Sequence, residues 1–529
     1  MKCVSFCVIR FVSVAPSYSF RPAAFRATIC GVMKYAIAVL DIGKTNKKLL
    51  VFNEKIEVID TAVKSVPPTE ENGIRVENVP ALLEWFYETL KGFAAQYPIR
   101  AIGCSAHGAA FVGVDAQGNQ AVPLVDYTFE PDESLHGEFF AMAGDRIELQ
   151  KQTATVELKP LINPAKLLFF TKKQYPDAFE QCRWFLPYSS FIGMQLTGKP
   201  NAEWTYVGCH TYLWDFLNGT WSSVAEGLGI TDKLPKSVGK PWDVLGTVSA
   251  EVAERCGLDP DTVVTAGIHD SNAALVPYLL NQEEEFLLNS TGTWCVAMQP
   301  GDVVNFEPDE LGKSVFFNIS AFGTPVKTAV LMAGAEYEVY TGILSAMHNG
   351  AGMPEFDLDV YRKVVASRSQ FILPGVVVGA GQFPDSTARV IEGEDTYSLD
   401  EIRSGTRVPA FFHDLPTASA VLNLSLAAQT RVAFERVGVD RVSHVYTEGG
   451  FRKNRDYNCL MATLFPDLEL SLTGMAEASA VGAAACAYIA RTKCDPREAA
   501  ALLCIDREPV SGVDLPGLRE YADALVDRI

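Results

Sequence analysis

At 529 residues with a formal charge of −19, the chain is too long for one ordinary hydrophobic core. It is also too acidic to take a nucleic-acid backbone or an anionic membrane as its main partner. Ample apolar residues and both charge signs read as a globular protein of two or three domains. The 12 cysteines are scattered with no C-x-x-C pair, which fits reduced, buried thiols in a cytoplasmic protein better than a disulfide framework or a zinc site.

Residues 1–32 carry Lys2, Arg10, Arg21 and Arg26 but no acid. They read as a leader of uncertain role: a basic targeting peptide, or a dispensable extension ahead of a domain that opens at Met33. "YAIAVLDIG" and "KKLLVFN" then read as two strands joined by a tight turn at Gly43 to Asn46. "VPALLEWFYETLKGFAAQ" has the spacing of an amphipathic helix. "IRAIGCSAHGAAFVGVD" reads as strand, small-residue turn, strand. Helical segments follow in "NPAKLLFFTKKQYPDAF" and "PYSSFIGMQLTGKP", and "SAEVAERCGL" is a helix closed by Gly257. "TVVTAGIHDSNAAL" is strand, then helix.

The short acidic link "NQEEEF" marks the expected domain boundary, with 33–280 before it and 281–529 after it. Beyond it the pattern restarts. "EFLLNSTGTWCVAM" is again strand, glycine turn, strand. "LPTASAVLNLSLAAQTRVAFERVG" is a long helix, "VSHVYTEGGF" a strand running into two glycines, and "MAEASAVGAAACAYIAR" a helix with a small-residue face. The run "SAVGAAACAYIA" is too short to span a bilayer. Two halves that open with the same hairpin suggest a duplication and an α/β architecture with a ligand in the cleft between them.

Three glycine turns and one strand end carry the chemistry. "DIGKTNKK" offers the strand-end carboxylate Asp41, then Gly43, Lys44, Thr45 and Asn46, a set suited to a polyphosphate, although an ordinary hairpin with a solvated lysine reads the same way. It is not a Walker A loop, which requires G-x-x-x-x-G-K-[ST]. "NSTGTW" puts Ser290, Thr291 and Thr293 around Gly292, either to hold phosphate oxygens or to stabilise a turn. "TEGGF" sets Gly449 and Gly450 at a strand end, where the lack of Cβ lets a flat ring approach the backbone. In "TAGIHDSNAAL", Asp270 either caps the helix that follows or faces a cleft as a proton acceptor.

Together and in this order, the motifs from Met33 to about residue 492 resemble the FGGY family of carbohydrate kinases, within the actin/Hsp70/hexokinase-like ATPases. "LDIGKTN" looks like the family's first phosphate motif and "GCSAHG" like its sugar-contacting loop. "VVTAGIHDSNAAL" is similar to the segment carrying its catalytic aspartate, "NSTGTW" to its second phosphate motif, and "EGGFRKNRDYNCLMATLF…EASAVGAA" to its nucleotide-side pattern. The pairs "HD" and "STGTW" lean toward the L-rhamnulokinase-like and L-fuculokinase-like branch. The chain departs from the family at His107, at "PYSS", at Asn458 and at "GAGQFP", places that touch the sugar pocket and the nucleotide edge.

The resemblance implies a two-domain, ribonuclease H-like fold with an interdomain cleft and ATP-dependent phosphorylation of a small sugar, a ketose such as L-rhamnulose or L-fuculose or a related polyol. It implies Asp270 as general base and Asp41 as a Mg²⁺ ligand through water. Gly43, Lys44, Thr45, Asn46, Lys47 and Thr293 would lie on the phosphates, and Gly449 and Gly450 beside the adenosine. His107, Gly108, Asp126, His269 and Ser271 would form the sugar pocket, with Asn318 a weaker candidate. The expected partners are the sugar and a possible second copy of the chain, with no nucleic acid and no membrane. The alternative is a non-catalytic or switch-type ATPase of the same superfamily.

Overall fold

The computed structural model describes residues 33–281 and 285–529. The expected leader and part of the acidic link therefore lie outside the described residues. Two seven-stranded sheets organise the rest.

The first sheet contains β1 (Ala36–Ile42), β2 (Asn46–Phe52), β3 (Val58–Ser65), β4 (Ile99–Ala106), β5 (Val244–Thr247), β6 (Val263–Thr265) and the short β7 (Ile268–His269). Its order is β5-β6-β4-β1-β2-β3, with β7 also pairing β4. The uninterrupted apolar run of β1 is explained by its position: it is central and buried along its whole length. Gly43 to Thr45 turns the chain into antiparallel β2, as the sequence predicts. The stretch "IRAIGCSAHGAAFVGVD" is strand, turn, strand as read, and its second strand, Phe111–Val114, pairs with Trp184–Pro187 outside the main sheet.

The second sheet contains β8 (Phe286–Thr291), β9 (Cys295–Pro300), β10 (Val315–Ile319), β11 (Pro325–Leu331), β12 (His444–Gly449), β13 (Glu469–Thr473) and β14 (Arg507–Val510). Its order is β10-β11-β9-β8-β12-β13-β14. From β3 the first sheet reads β3-β2-β1-β4-β6-β5, and from β11 the second reads β11-β9-β8-β12-β13-β14. In each, two antiparallel pairings lead to the hairpin's first strand, two parallel pairings follow, and an antiparallel strand closes the edge. The repeat inferred from two similar hairpins therefore extends through six strands of each half.

Four helices position the site: α1 (Val79–Ala94), α2 (Asp270–Leu280), α3 (Leu415–Val437) and α4 (Ala478–Thr492). Helix α1 starts where the Asn78 side chain accepts from the Ala81 amide, and it buries Leu82, Phe86, Leu90 and Phe93. Helix α3, buried for most of its length, ends at Gly438 with φ +91°. Helix α4 packs across the two halves. Although it follows the second sheet in sequence, Ala480, Ala483, Ala484 and Ala487 share a core with Ile37, Val39 and Ala273 of the first half. Its small-residue face permits this approach, since a Cβ on Gly482 would stand 1.9 Å from the carbonyl oxygen of Ala273 in α2. No helix among the described residues is long and apolar enough to cross a membrane.

Candidate active site

The chemistry gathers where β1, β4 and β7 end. Asp41, the penultimate residue of β1, is 8% exposed and accepts a hydrogen bond from Ser479 Oγ of α4 at 3.1 Å. Burial, and after it the charge of Asp270, push its carboxyl up to about 6 against the pull of its serine donors. Asp270 opens α2, and burial pushes its carboxyl to about 6 as well. Its side chain is nonetheless 33% exposed where it lines a pocket. Oδ1 accepts from the Ser271 amide at 2.6 Å and the Ser271 hydroxyl at 3.2 Å, and it meets His269 Nε2 at 3.2 Å. Among the described residues every one of these contacts falls on Oδ1, leaving Oδ2 for a ligand.

The neighbouring histidine is held from behind. Asn272 Nδ2 lies 2.9 Å from His269 Nδ1 and also reaches the Thr205 carbonyl, so it donates to the ring. Burial drives this imidazole down to about 3, so it is neutral at physiological pH. With Nδ1 accepting, the ring proton sits on Nε2 and points at Asp270. The His269 amide donates to Thr205 Oγ1 at 3.0 Å, and that hydroxyl in turn donates to the buried Glu203 carboxylate. Glu203 also accepts the Thr205 and Tyr206 amides, and burial raises its carboxyl to about 8.

A pocket of about 300 Å³ opens in front of Asp270 and is lined from both halves. The first half contributes His107, Gly108, His269, Asp270 and Ser271 and the second Asn318, so six expected site residues meet here. His107 is 7% exposed, and neither of its ring nitrogens has a partner. Burial, and then the charges of Lys47 and Lys44, pull its imidazole down to about 3. Tyr206 Oη holds this loop by donating to the His107 carbonyl at 2.6 Å. Asn318 Nδ2 donates to Thr328 Oγ1 at 3.1 Å, while its Oδ1 is buried without a partner. Buried polar atoms left open in this way call for a ligand that hydrogen-bonds. The opposite wall is apolar, made by Leu158, Ile162, Val296, Phe316 and Val330 beside Trp294.

Two expected residues have their polar atoms engaged within the protein. Asp126 is 1% exposed and does not reach the pocket, because Lys44, Arg75 and Thr128 take its oxygens. Those partners hold its carboxyl below the usual range despite burial. It braces the wall that carries Tyr127. Lys47 is also 1% exposed, and its ammonium donates to the carbonyls of Gly43 at 2.7 Å and Lys44 at 3.1 Å. It ties the first turn from inside. Lys44 bridges Glu77 and Asp126 with its ammonium over the Tyr127 ring, whereas Thr45 and Asn46 are exposed at the turn's tip.

The second hairpin turn is fixed differently. Thr291 Oγ1 donates to the Glu448 carbonyl and accepts from the Phe451 amide at 2.9 Å. This binds the end of β8 to the end of β12. Gly449 has φ +83°, and a Cβ there would stand 2.0 Å from the Thr291 carbonyl oxygen, so only glycine fits. Gly292 and Thr293 remain exposed, and Trp294 reaches the pocket in front of Asp270. On the other side of Gly449 lies a cleft of about 1130 Å³, with Arg452, Asn458, Gly474, Met475 and Ser511 on its walls. Asn458 supports that wall by donating to the carbonyls of Phe451 and Asn454, each at 2.8 Å.

Sequence reasoning missed His210 and Trp294 as pocket residues. Trp294 stood inside a recognised motif, but its direction depends on the β8–β9 turn. His210 follows the apolar stretch "TYVGC" with no spacing that singles it out, and it arrives only because the segment after Glu203 passes beneath the His107 loop.

Comparison with known proteins gives a consistent assignment. Residues 36–277 match the N-terminal domain model of the FGGY family of carbohydrate kinases, and 283–496 match the FGGY carbohydrate kinase C-terminal domain. A rhamnulokinase of Halalkalibacterium halodurans is 26% identical over 272 residues, 50% of this chain and 55% of that protein. The match therefore spans little more than half of that relative. A carbohydrate kinase from Novosphingobium aromaticivorans shares the fold with a TM-score of 0.75 at 24% identity, over 94% of this chain and 98% of that one. A ligand-bound xylulose kinase from Lactobacillus acidophilus gives 0.75 at 15% identity, over 93% and 97%. The expected actin/hexokinase-like fold is thus the observed one, and the chain belongs to the FGGY family of carbohydrate kinases.

Proposed function

We propose that the protein transfers the γ-phosphoryl group of ATP to a hydroxyl of a small ketose or related polyol, with Asp270 as general base. The observation that carries this reading is the asymmetry of Asp270, with three contacts on Oδ1 and Oδ2 open to a pocket of unpartnered polar atoms. A hydroxyl in that pocket would give its proton to Oδ2. The proton on His269 Nε2 and the Ser271 donors would keep the carboxylate oriented.

Continuity along the chain supports where the donor would sit. Thr291 is fastened to the strand that borders the larger cleft, and Trp294 three residues later borders the smaller pocket. The exposed turn at Gly292 and Thr293 spans the interval, so its amides and hydroxyl suit the terminal phosphates of a nucleotide lying in the larger cleft. Gly43, Thr45 and Asn46 would approach from the first half. Gly449 and Gly450 would border the adenosine. Asp41 fits Mg²⁺, since it is a hard oxygen donor whose ionisation is opposed by burial and then by the nearby Asp270 charge, and a bound cation would favour the ionised form. Bound there, the ion would neutralise phosphate charge.

The apolar wall suits a ketose with a methyl end, such as L-rhamnulose or L-fuculose, better than a fully hydroxylated polyol. A coupled assay of ADP release against a panel of deoxyketoses, ketopentoses and glycerol tests this. Turnover with deoxyketoses is expected to exceed that with the others by at least about tenfold in kcat/KM, roughly what one buried methyl provides. ATP turnover unaffected by every sugar would defeat the kinase reading.

A further inference from the structure

Cys209, His210 and His269 each offer a ligand atom, and those atoms lie within 4.8 Å of one another. From this cluster we propose a binding site for a borderline-soft divalent cation, with Zn²⁺ as the best fit, whose occupation shuts off the adjoining base. The sulfur and two imidazoles form a donor set that selects zinc over magnesium. It lacks the paired-cysteine spacing of a structural zinc site, because the fold assembles it from two separate segments.

Three further observations support the site. His210 Nε2 is buried without a hydrogen-bond partner. Gly108 opens the space between the other two donors: a Cβ there would lie 2.6 Å from His269 Nε2 and 2.9 Å from Cys209 Sγ. Asn272 Oδ1, behind His269, also has no partner. Turning the Asn272 amide over, which gives up its long 3.4 Å bond to the Thr205 carbonyl, would let Oδ1 accept a proton on Nδ1 and free Nε2 to bind metal, the usual carbonyl–imidazole–metal arrangement. The donors must close in by about 1 Å to reach tetrahedral spacing, a movement within reach of the Cys209 and His210 side-chain torsions. The thiol gives up its proton to solvent on binding.

The consequence for catalysis follows from the shared histidine. When Nε2 binds metal it no longer donates to Asp270, and the cation occupies the corner where the sugar would lie. Zinc would then compete with sugar and leave the ATP cleft untouched. This consequence rests on the kinase reading; metal binding itself does not.

The test uses the full chain with Co²⁺ alone, without nucleotide or sugar. The expected result is one equivalent bound, with tetrahedral ligand-field bands and a thiolate-to-cobalt charge-transfer band that Zn²⁺ abolishes. In Cys209→Ala the charge-transfer band should vanish, and in His210→Phe affinity should fall at least about tenfold. Basal turnover and its sugar KM should survive in Cys209→Ala, which verifies folding, while its inhibition by Zn²⁺ disappears. No band in the parent protein, or an equal band in Cys209→Ala, overturns the site. Inhibition that sugar does not relieve overturns the proposed competition.

Discussion

Replacing Asp270 with Asn separates the proposed base from the helix-capping role that the sequence equally allowed. The substitution preserves shape. Its carbonyl oxygen can take the place of Oδ1, accepting the Ser271 amide and hydroxyl and the His269 Nε2 proton. The amide nitrogen then replaces Oδ2 at the pocket and cannot accept a proton. Folding should be preserved, because the replacement also removes a carboxylate whose ionisation burial opposes. Removing a general base commonly costs about 10² to 10⁴ in rate, or about 3 to 5 kcal/mol on the barrier.

The assay is sugar-dependent ADP release at saturating ATP and sugar, together with sugar affinity measured by direct binding. The expectation is a fall in kcat within that range and an affinity change below about threefold. The pH profile gives a second readout. In the parent enzyme the rate should fall as pH drops below about 6, where Asp270 becomes protonated, and the residual activity of the variant should lose that dependence. A structural cap predicts otherwise, since Asn caps about as well as Asp. The structure already weakens that alternative: His269 holds the cap position and makes no side-chain capping bond. Parent-like turnover by a folded Asp270→Asn variant would refute the assignment.

The other predictions concern the turns and the frame around the base. Thr45→Leu at the exposed tip of the first turn should raise the KM for ATP several-fold and leave sugar binding unchanged; steady-state kinetics in both substrates decides. Asp41→Asn probes electrostatic cost. Because the folded carboxyl is raised from 3.8 to about 6, stability is fully present below the unfolded value and is lost as pH rises through 6, by roughly 3 kcal/mol. In Mg²⁺-free buffer the variant should therefore gain thermal stability over the parent at pH 8 and not at pH 4, with equal gains at both arguing against this cause. Gly482→Ala forces a Cβ to within 1.9 Å of the Ala273 carbonyl oxygen, so it should destabilise by at least about 1–3 kcal/mol, seen as a lower thermal midpoint.

Much of this fold was legible because its signals are local. The β1–β2 and β8–β9 hairpins each show apolar runs broken by a glycine turn, and neither needs a distant partner to be recognised. Helix α4 was recognised as a helix, but its attachment to the other half was not. Its small residues specify close packing without specifying a partner, and Ala273 supplies the partner from far away in sequence. The partners of charged residues were not legible for the same reason. The motifs single out Lys47 and Asp126, but only the fold shows the turn carbonyls and Glu77 around the Lys47 ammonium and Lys44 and Arg75 on the Asp126 carboxylate. A motif fixes which residue types converge; burial decides which of them still have an atom to offer.

The same principle explains how two similar halves come to do different work. Each sheet places a glycine turn at the end of its central strand, but the turns are secured from different directions. In the first, Lys47 reaches inward and holds the carbonyls of Gly43 and Lys44, while Lys44 leans away to Glu77 and Asp126. That leaves Asp41 as a second carboxyl near Asp270, on a side of the cleft that also carries histidines. In the second, Thr291 secures the turn to the neighbouring strand through its hydroxyl, with no ionisable side chain committed. Gly449 then allows that strand to come close enough to border the larger cleft. On the kinase reading, a proton acceptor suits the first arrangement, where burial holds a carboxyl near 6, and the second leaves the exposed amides and hydroxyl of Gly292 and Thr293 open toward a polyphosphate. The repeated fold supplies two equivalent turns, and on the proposed reading the side chains that secure them set the acceptor side apart from the donor side.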